Sequence, residues 1–183
     1  MPFKLANPGP LGLAGFGMTT ILLNLHNAGF FPNSSVVLGM GLFFGGLAQM
    51  LAGAMEFTKG NTFGTVAFTS YGAFWLSLVA VWVLPKIGWA EAPSPAFMGC
   101  YLFIWGVFTL LMFVGTLKSG PVLRFVFLSL AVLFFLLALG DFTENHSVTK
   151  LAGWVGIVCG ASALYLSMAE VLAESHGKKI LPH

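Results

Sequence analysis

Charged side chains are scarce in this sequence. Lys, Arg, Asp and Glu together make up 8% of the 183 residues, whereas about a quarter of the residues in a typical soluble domain are charged. Hydrophobic residues make up 57% of the chain. Such a composition excludes an ordinary soluble domain, and we predict an integral membrane protein.

The sequence also has few residues that could build a covalent or metal-based framework. Cys100 and Cys159 lie in separate apolar stretches, and neither belongs to a CxxC motif or a Cys/His cluster. We therefore expect no disulfide framework, no metal site and no cofactor. The net charge of +2 is small and scattered, so there is no basic patch for nucleic acid.

Recognisable catalytic groups are missing as well. The sequence contains no HExxH motif and no phosphate-binding loop, and no pair of carboxylates falls in the middle of an apolar stretch. No Ser, His and Asp set falls on one side of the expected membrane. These absences predict that the protein is not an enzyme.

Long apolar stretches are what the sequence does contain. Each is close to the length of about 20 residues that a transmembrane helix needs. Prolines, glycines and polar residues separate the stretches. They cover roughly residues 10–28, 35–57, 62–84, 96–117, 121–139 and 149–173. We predict an all-α integral membrane protein, a six-transmembrane-helix bundle forming a single transmembrane domain over residues 1–183.

The basic residues orient this bundle, because cytoplasmic loops carry an excess of Lys and Arg. With the N-terminus inside, only Lys86 and Lys150 fall on the outer side. The cytoplasmic side then receives Lys4, Lys59, Lys118, Arg124, Lys178 and Lys179. We predict that both termini are cytoplasmic.

Uncharged polar residues occur deep in several predicted helices. A single Ser or Thr in a membrane helix often bonds only its own i−4 carbonyl, so it is the clustering that favours a solute pathway. The polar residues cluster on helices one, three and six. They include Thr19, Thr20 and Asn24 on helix one, and Gln49 lies at depth on helix two. Hydroxyls and amides without a fixed cation suit a small neutral or weakly anionic solute.

Two carboxylates lie near the predicted cytoplasmic ends of helices. Glu56 shares a polar face with Gln49 on the second helix, and Glu170 is near the end of the last helix. Ionisable groups at depth in a membrane are usually functional, but both are close enough to the surface to snorkel or pair. Glu56 is the stronger candidate for a pathway residue.

The first apolar stretch opens with an unusual motif, Asn7-Pro8-Gly9-Pro10-Leu11-Gly12-Leu13. Proline fixes φ and lacks an N–H, so it suits the first turn of a helix. We expect the helix to begin at these prolines, with Asn7 in a vestibule and the free N–H groups of the first turn facing an arriving carboxylate.

This motif resembles the N-P-[AG]-P-[LV]-G-L signature of the acetate uptake transporter family (AceTr), with Gly9 where alanine is common. Similarity continues, in order, over nearly the whole chain. The further matching segments are Gly15-Phe16-Gly17-Met18-Thr19-Thr20, Gly60-Asn61-Thr62-Phe63-Gly64, Thr69-Ser70-Tyr71-Gly72-Ala73-Phe74-Trp75-Leu76-Ser77, Ala152-Gly153-Trp154 and Gly160-Ala161-Ser162-Ala163.

The resemblance implies a six-helix protomer in a homohexamer, with one pore through each protomer. It implies transport of acetate and, in bacterial members, succinate, with dependence on protons. It also implies a hydrophobic constriction, which matches Phe16, Tyr71 and Leu130 here. Such a ring can gate by excluding water, while the Tyr71 hydroxyl is expected to bond a carboxylate.

Further pathway positions follow from the same resemblance. Leu130 and Ala163 match positions tied to substrate choice in the family, and Trp75 lies in the third matching segment. With the residues named above, the predicted pathway comprises Asn7, Thr19, Thr20, Asn24, Gln49, Glu56, Trp75 and Ala163.

We therefore expect a multi-pass transporter or channel of the cell inner (cytoplasmic) membrane, surrounded by lipid, for acetate and succinate. The residues alone also fit a neutral-solute channel for urea, ammonia or water. A structural or signalling protein without transport fits less well, because it has no need of deep polar residues. The sequence leaves open whether transport is proton-coupled or passive.

Overall fold

The computed structural model describes residues 5–182, and six helices account for most of them. They are α1 Gly9–Asn27, α2 Ser35–Thr58, α3 Thr62–Val83, α4 Pro95–Gly115, α5 Pro121–Thr143 and α6 His146–His176. Within this range there is no β-strand. The predicted all-α fold of six helices is confirmed.

Five of the helices, α2 to α6, are long and apolar enough to cross a membrane. The remaining helix, α1, has 19 residues. It carries several glycines, threonines and asparagines in place of large apolar side chains. The cytoplasmic position of both termini stays a prediction. Lys4, one of the basic residues behind it, lies outside the described residues.

Polar caps and prolines determine where the helices begin. Pro95 and Pro121 occupy the first turns of α4 and α5, where a missing N–H has no helical partner to lose. The side chains of Asn61 and Asn145 accept hydrogen bonds from Gly64 N and Ser147 N at the starts of α3 and α6. These bonds satisfy N–H groups that the helices themselves leave unpaired.

The connection between α5 and α6 is much shorter than the polar sequence around it suggests. The predicted helices end at residue 139 and resume at 149, but α5 continues to Thr143 and α6 begins at His146. Glu144 takes a left-handed conformation, with φ of 49°, which ends α5 abruptly. Because Asn145 then caps α6 at once, the polar residues on either side remain helical.

Helix α2 contains a π-helical segment, Gly41–Ala48, that the sequence did not reveal. Gly45 is buried there, and a Cβ on it would meet both Thr19 and Trp75 at 2.9 Å. Such a widened turn shifts the residues after it by about 100° relative to an uninterrupted α-helix. Gln49 and Glu56 follow this segment and are both turned into the protein, with exposures of 1% and 3%.

The helices enclose a space between α3 and α5. Helix α1 packs most extensively against α6, α2 against α3, and α5 against both α4 and α6, whereas α3 and α5 make little backbone contact. Aromatic pairs bridge that gap, including Phe63 with Phe127 and Phe74 with Phe134, whose ring centroids are 5.3 and 5.1 Å apart.

Replacing Gly17 with alanine should destabilise the bundle. The added Cβ would lie 2.7 Å from the carbonyl oxygen of Gly160 and 2.8 Å from the backbone nitrogen of Leu164, so α1 and α6 would have to separate. We expect a loss of about 1–3 kcal/mol in the free energy of unfolding, measured as a lower Tm in detergent. Gly39→Ala is the control, since its Cβ meets no atom within 4 Å. Equal shifts in Tm for the two variants would contradict this account of the contact.

Candidate functional site

A cavity of about 200 Å³ lies between α1, α2, α3 and α5, at the end of the bundle where α1 begins. Each helix contributes residues spaced by three, four or seven positions, so one face of each helix lines it. The lining residues are Asn7, Gly9, Leu13, Phe16, Gln49, Glu56, Asn61, Phe63, Gly64, Ala67, Phe68, Tyr71, Leu123, Val126, Phe127, Leu130 and Glu170.

The deep end of the cavity is apolar. Phe16, Tyr71 and Leu130 all line it and are 6%, 3% and 3% exposed. The rings of Phe16 and Tyr71 lie 5.9 Å apart between centroids and are tilted by 50°. The structure thus brings together the three residues of the predicted constriction. That they gate a pathway stays a prediction.

The Tyr71 hydroxyl is directed towards α4. It donates a hydrogen bond of 3.0 Å to Thr109 Oγ1, and the Thr109 hydroxyl in turn donates to the Trp105 carbonyl at 2.7 Å. We expected this hydroxyl to bond a carboxylate, but in the structure its proton is engaged within the protein. Thr109 was missed, because nothing in its apolar sequence surroundings indicates its partner.

At the opposite end of the cavity, which we call the mouth, Asn7 joins three elements. Its Oδ1 accepts hydrogen bonds from Gly9 N at 3.2 Å and from Lys59 Nζ at 3.3 Å, and its Nδ2 donates to Glu170 Oε2 at 3.0 Å. Gly12 N is also occupied, by the Pro8 carbonyl. Two of the N–H groups in the first turn of α1 are therefore not free to meet a carboxylate.

Glu56 is the most deeply buried carboxylate at the mouth. Its Oε2 accepts a hydrogen bond of 2.8 Å from Asn61 Nδ2, while Asn61 Oδ1 caps α3 by accepting from Gly64 N at 3.1 Å. Asn61 therefore orients the carboxylate and begins the helix with the same side chain. Asn61 falls between the second and third predicted helices, and the sequence gives no sign of its role at the mouth.

Midway along the cavity, Gln49 is 1% exposed, and its Oε1 is buried without a hydrogen-bond partner. Buried amide oxygens are nearly always paired, and an unpaired one costs about 1–3 kcal/mol. A lining group of this kind has an unused acceptor to offer a bound molecule. Asn7, Gln49 and Glu56 are thus the predicted pathway residues that the cavity brings together.

The remaining predicted pathway residues are buried but do not line this cavity. Thr19 Oγ1 donates to the Met40 carbonyl at 3.4 Å, and Asn24 Nδ2 donates to the Thr20 carbonyl at 2.9 Å. Trp75 and Ala163 are packed in the interior, at 2% and 0% exposure. Their place on a pathway stays a prediction.

Comparison with known proteins relates the whole chain to one family. The model of the GPR1/FUN34/yaaH family matches residues 1–182. The succinate-acetate/proton symporter SatP of Escherichia coli (strain K12) is 60% identical over 179 residues, which cover 98% of this chain and 95% of that protein. The solved structure of the bacterial acetate channel SatP superposes with a TM-score of 0.97 at 60% identity, covering 98% of this chain and 99% of that one.

A more distant relative carries a different name. The ammonia transport outward protein 2 of Saccharomyces cerevisiae is 39% identical over 178 residues, which cover 92% of this chain and 62% of that protein. Proteins similar to this chain are therefore named for the transport of carboxylates and, in one case, of ammonia.

Replacing Thr109 with valine should leave the Tyr71 hydroxyl buried without an acceptor. We expect a loss of about 1–3 kcal/mol in the free energy of unfolding, measured by thermal or denaturant unfolding in detergent. Tyr71→Phe in the same chain removes the orphaned hydroxyl, so the double variant should recover most of that loss. Strictly additive effects of the two substitutions on the free energy of unfolding would show that the Tyr71 and Thr109 hydroxyls do not interact.

Proposed function

The chain belongs to the GPR1/FUN34/yaaH family, and from that premise we propose that it transports acetate, and also succinate, across the cell inner membrane. The route is a pore through each protomer of a homohexamer, and the protein is not an enzyme. The observation that carries this proposal is the cavity, which is polar at its mouth and apolar at its deep end.

The two ends of the cavity match the two ends of a short carboxylic compound. The methyl group of acetate suits the rings of Phe16 and Tyr71, and its carboxyl group suits the Gln49 amide nearer the mouth. Ligand sites of this kind combine apolar walls with a few placed polar groups. A ring of three large side chains at the deep end favours small cargo, because a narrow apolar constriction excludes water and bulky solutes.

Purified protein in proteoliposomes tests the proposal. Uptake of labelled acetate should exceed uptake into empty vesicles, measured above neutral pH, where nearly all acetate is ionised and leakage through the bilayer is slowest. Equal uptake in the two kinds of vesicle would overturn the proposal.

A neutral-solute channel is the second candidate, and the named function of the yeast relative favours it. Competition separates the two candidates. Excess acetate should block uptake of labelled succinate through a carboxylate pathway, whereas it should leave ammonia or urea flux unchanged through a separate neutral pathway. Ammonia flux that acetate does not affect, without succinate uptake, would favour the second candidate.

Phe16→Ala and Leu130→Ala should widen the deep end of the cavity. We expect the ratio of succinate to acetate uptake to rise by roughly tenfold, the scale on which apolar pockets discriminate by size. Initial rates in proteoliposomes measure it. Phe97→Ala is the matched control, because Phe97 is 71% exposed on α4 and outside the cavity. An unchanged ratio in both variants would argue against a constriction at these residues.

A further inference from the structure

Helix α4 lies beside the cavity without lining it, yet it contacts one residue of the predicted constriction. In the described part of the chain, α4 contributes no residue to the cavity lining. It packs mainly on α5 and makes little backbone contact with α3. Side chains therefore connect α4 to α3. One of these is Thr109, which is buried and accepts the hydrogen bond of the Tyr71 hydroxyl at 3.0 Å.

A second hydrogen bond of Thr109 sets the direction of the first. The Thr109 hydroxyl donates its proton to the Trp105 carbonyl at 2.7 Å, one turn earlier on α4. Because a hydroxyl has one proton and two lone pairs, Thr109 Oγ1 is left as an acceptor for Tyr71. A threonine that bonds its own i−4 carbonyl is common in membrane helices. Here that local bond prepares an acceptor for a residue on another helix.

The aromatic contacts of Tyr71 hold its ring but not the direction of its hydroxyl. The ring centroids of Phe16, Phe108 and Phe127 lie 5.9, 5.7 and 6.0 Å from that of Tyr71. Aromatic pairs tolerate several relative orientations, whereas a hydrogen bond needs a defined distance and angle. The bond to Thr109 therefore directs the Tyr71 hydroxyl out of the cavity and towards α4.

Another acceptor is available inside the cavity. Gln49 and Tyr71 both line it, and Gln49 Oε1 is buried without a hydrogen-bond partner. A buried hydroxyl that loses its acceptor is costly to leave unpaired. If residue 109 offered no acceptor, the Tyr71 hydroxyl would turn inwards to Gln49, and the Tyr71 ring would obstruct the cavity.

We propose that Thr109 is a positioning residue for the constriction. It holds the Tyr71 hydroxyl against α4 and thereby keeps the Tyr71 ring at the wall of the pathway. Thr109 does not line the cavity in the described structure, so it acts through Tyr71. This inference rests on the proposed function, because it concerns passage along the same pathway.

Initial rates of acetate uptake into proteoliposomes, normalised to the amount of folded protein, test the inference. In Thr109→Val we expect the rate to fall about fivefold, the ratio that corresponds to one net hydrogen bond between neutral groups. Thr109→Ser keeps the hydroxyl and should retain most of the wild-type rate. Thr109→Cys keeps a weaker acceptor of similar size, so its rate should fall in between, and it decides the outcome if the valine variant does not fold.

A double variant and a control separate positioning from a merely structural link. In a Tyr71→Phe background, Thr109→Val should cause no further loss of rate, because no hydroxyl remains to be positioned. Ser77→Ala is the matched control and should keep the wild-type rate. The Ser77 and Tyr101 hydroxyls lie 2.7 Å apart and also join α3 to α4, but neither residue lines the cavity in the described chain.

Each outcome is decisive. An unchanged rate in folded Thr109→Val, or an equal further loss in the Tyr71→Phe background, would overturn the inference and leave the proposed function intact. Equal losses in Thr109→Val and Ser77→Ala would also overturn it, because Thr109 would then serve only to join the helices. If the wild-type protein passes ammonia and no acetate, the proposed function is overturned, and ammonia flux through the same variants decides the inference. A wild-type protein that passes neither would overturn both.

Discussion

The close backbone contact between α1 and α6 is the constraint on which the cavity depends. Gly17 and Gly160 each face the carbonyl oxygen of the other, so that a Cβ on either would come within 2.7 Å of it. Ser167 Oγ adds a hydrogen bond of 2.6 Å to the Pro10 carbonyl, about two turns nearer the mouth. In lipid, where no hydrophobic force drives helices together, such small-residue contacts and interhelical hydrogen bonds hold a helix in place. With α1 fixed against α6, its opposite face, including Gly9, Leu13 and Phe16, becomes one wall of the cavity.

The same polar residues serve helix geometry and cavity chemistry at the mouth. Asn7 accepts from the first N–H of α1, and Asn61 accepts from Gly64 N in α3, yet their amide nitrogens orient Glu170 and Glu56. Helix starts are usually regarded as sites that attract anions, because their N–H groups are unpaired. Here the Asn7 and Asn61 side chains accept hydrogen bonds from N–H groups at the helix starts, and the carboxylates of Glu170 and Glu56 lie beside them. The amide nitrogens of Asn7 and Asn61 thus hold the two carboxylates in place at the mouth while their oxygens bond to helix N–H groups.

The sequence predicted much of the fold and part of the site, and the failures have physical causes. Continuous apolar runs identified six helices, and the resemblance identified Phe16, Tyr71 and Leu130, which the structure places around one cavity.

The depth of a residue in a helix can be predicted from sequence, but the direction of its side chain cannot. Thr19, Thr20 and Asn24 therefore looked equivalent to Gln49, although only Gln49 lines the cavity. In the π-helical turn before Gln49, Gly45 lies so close to Thr19 and Trp75 that a Cβ would crowd both. Thr109 acquires its partner only when α4 packs beside α3. Tertiary packing, which local pattern does not encode, decides each of these.

The apolar end of the cavity sets a physical cost for any polar group that enters it. Because the Tyr71 proton is directed to Thr109, the deep end presents aromatic rings and the Leu130 side chain to the cavity. Moving a neutral polar group into such surroundings without a partner costs roughly 2–7 kcal/mol, and an isolated carboxylate costs far more. An anion stripped of water at Phe16 would face that larger penalty with no described cation in the cavity lining to offset it. The deep end of the cavity therefore opposes the passage of charge more strongly than the passage of neutral groups.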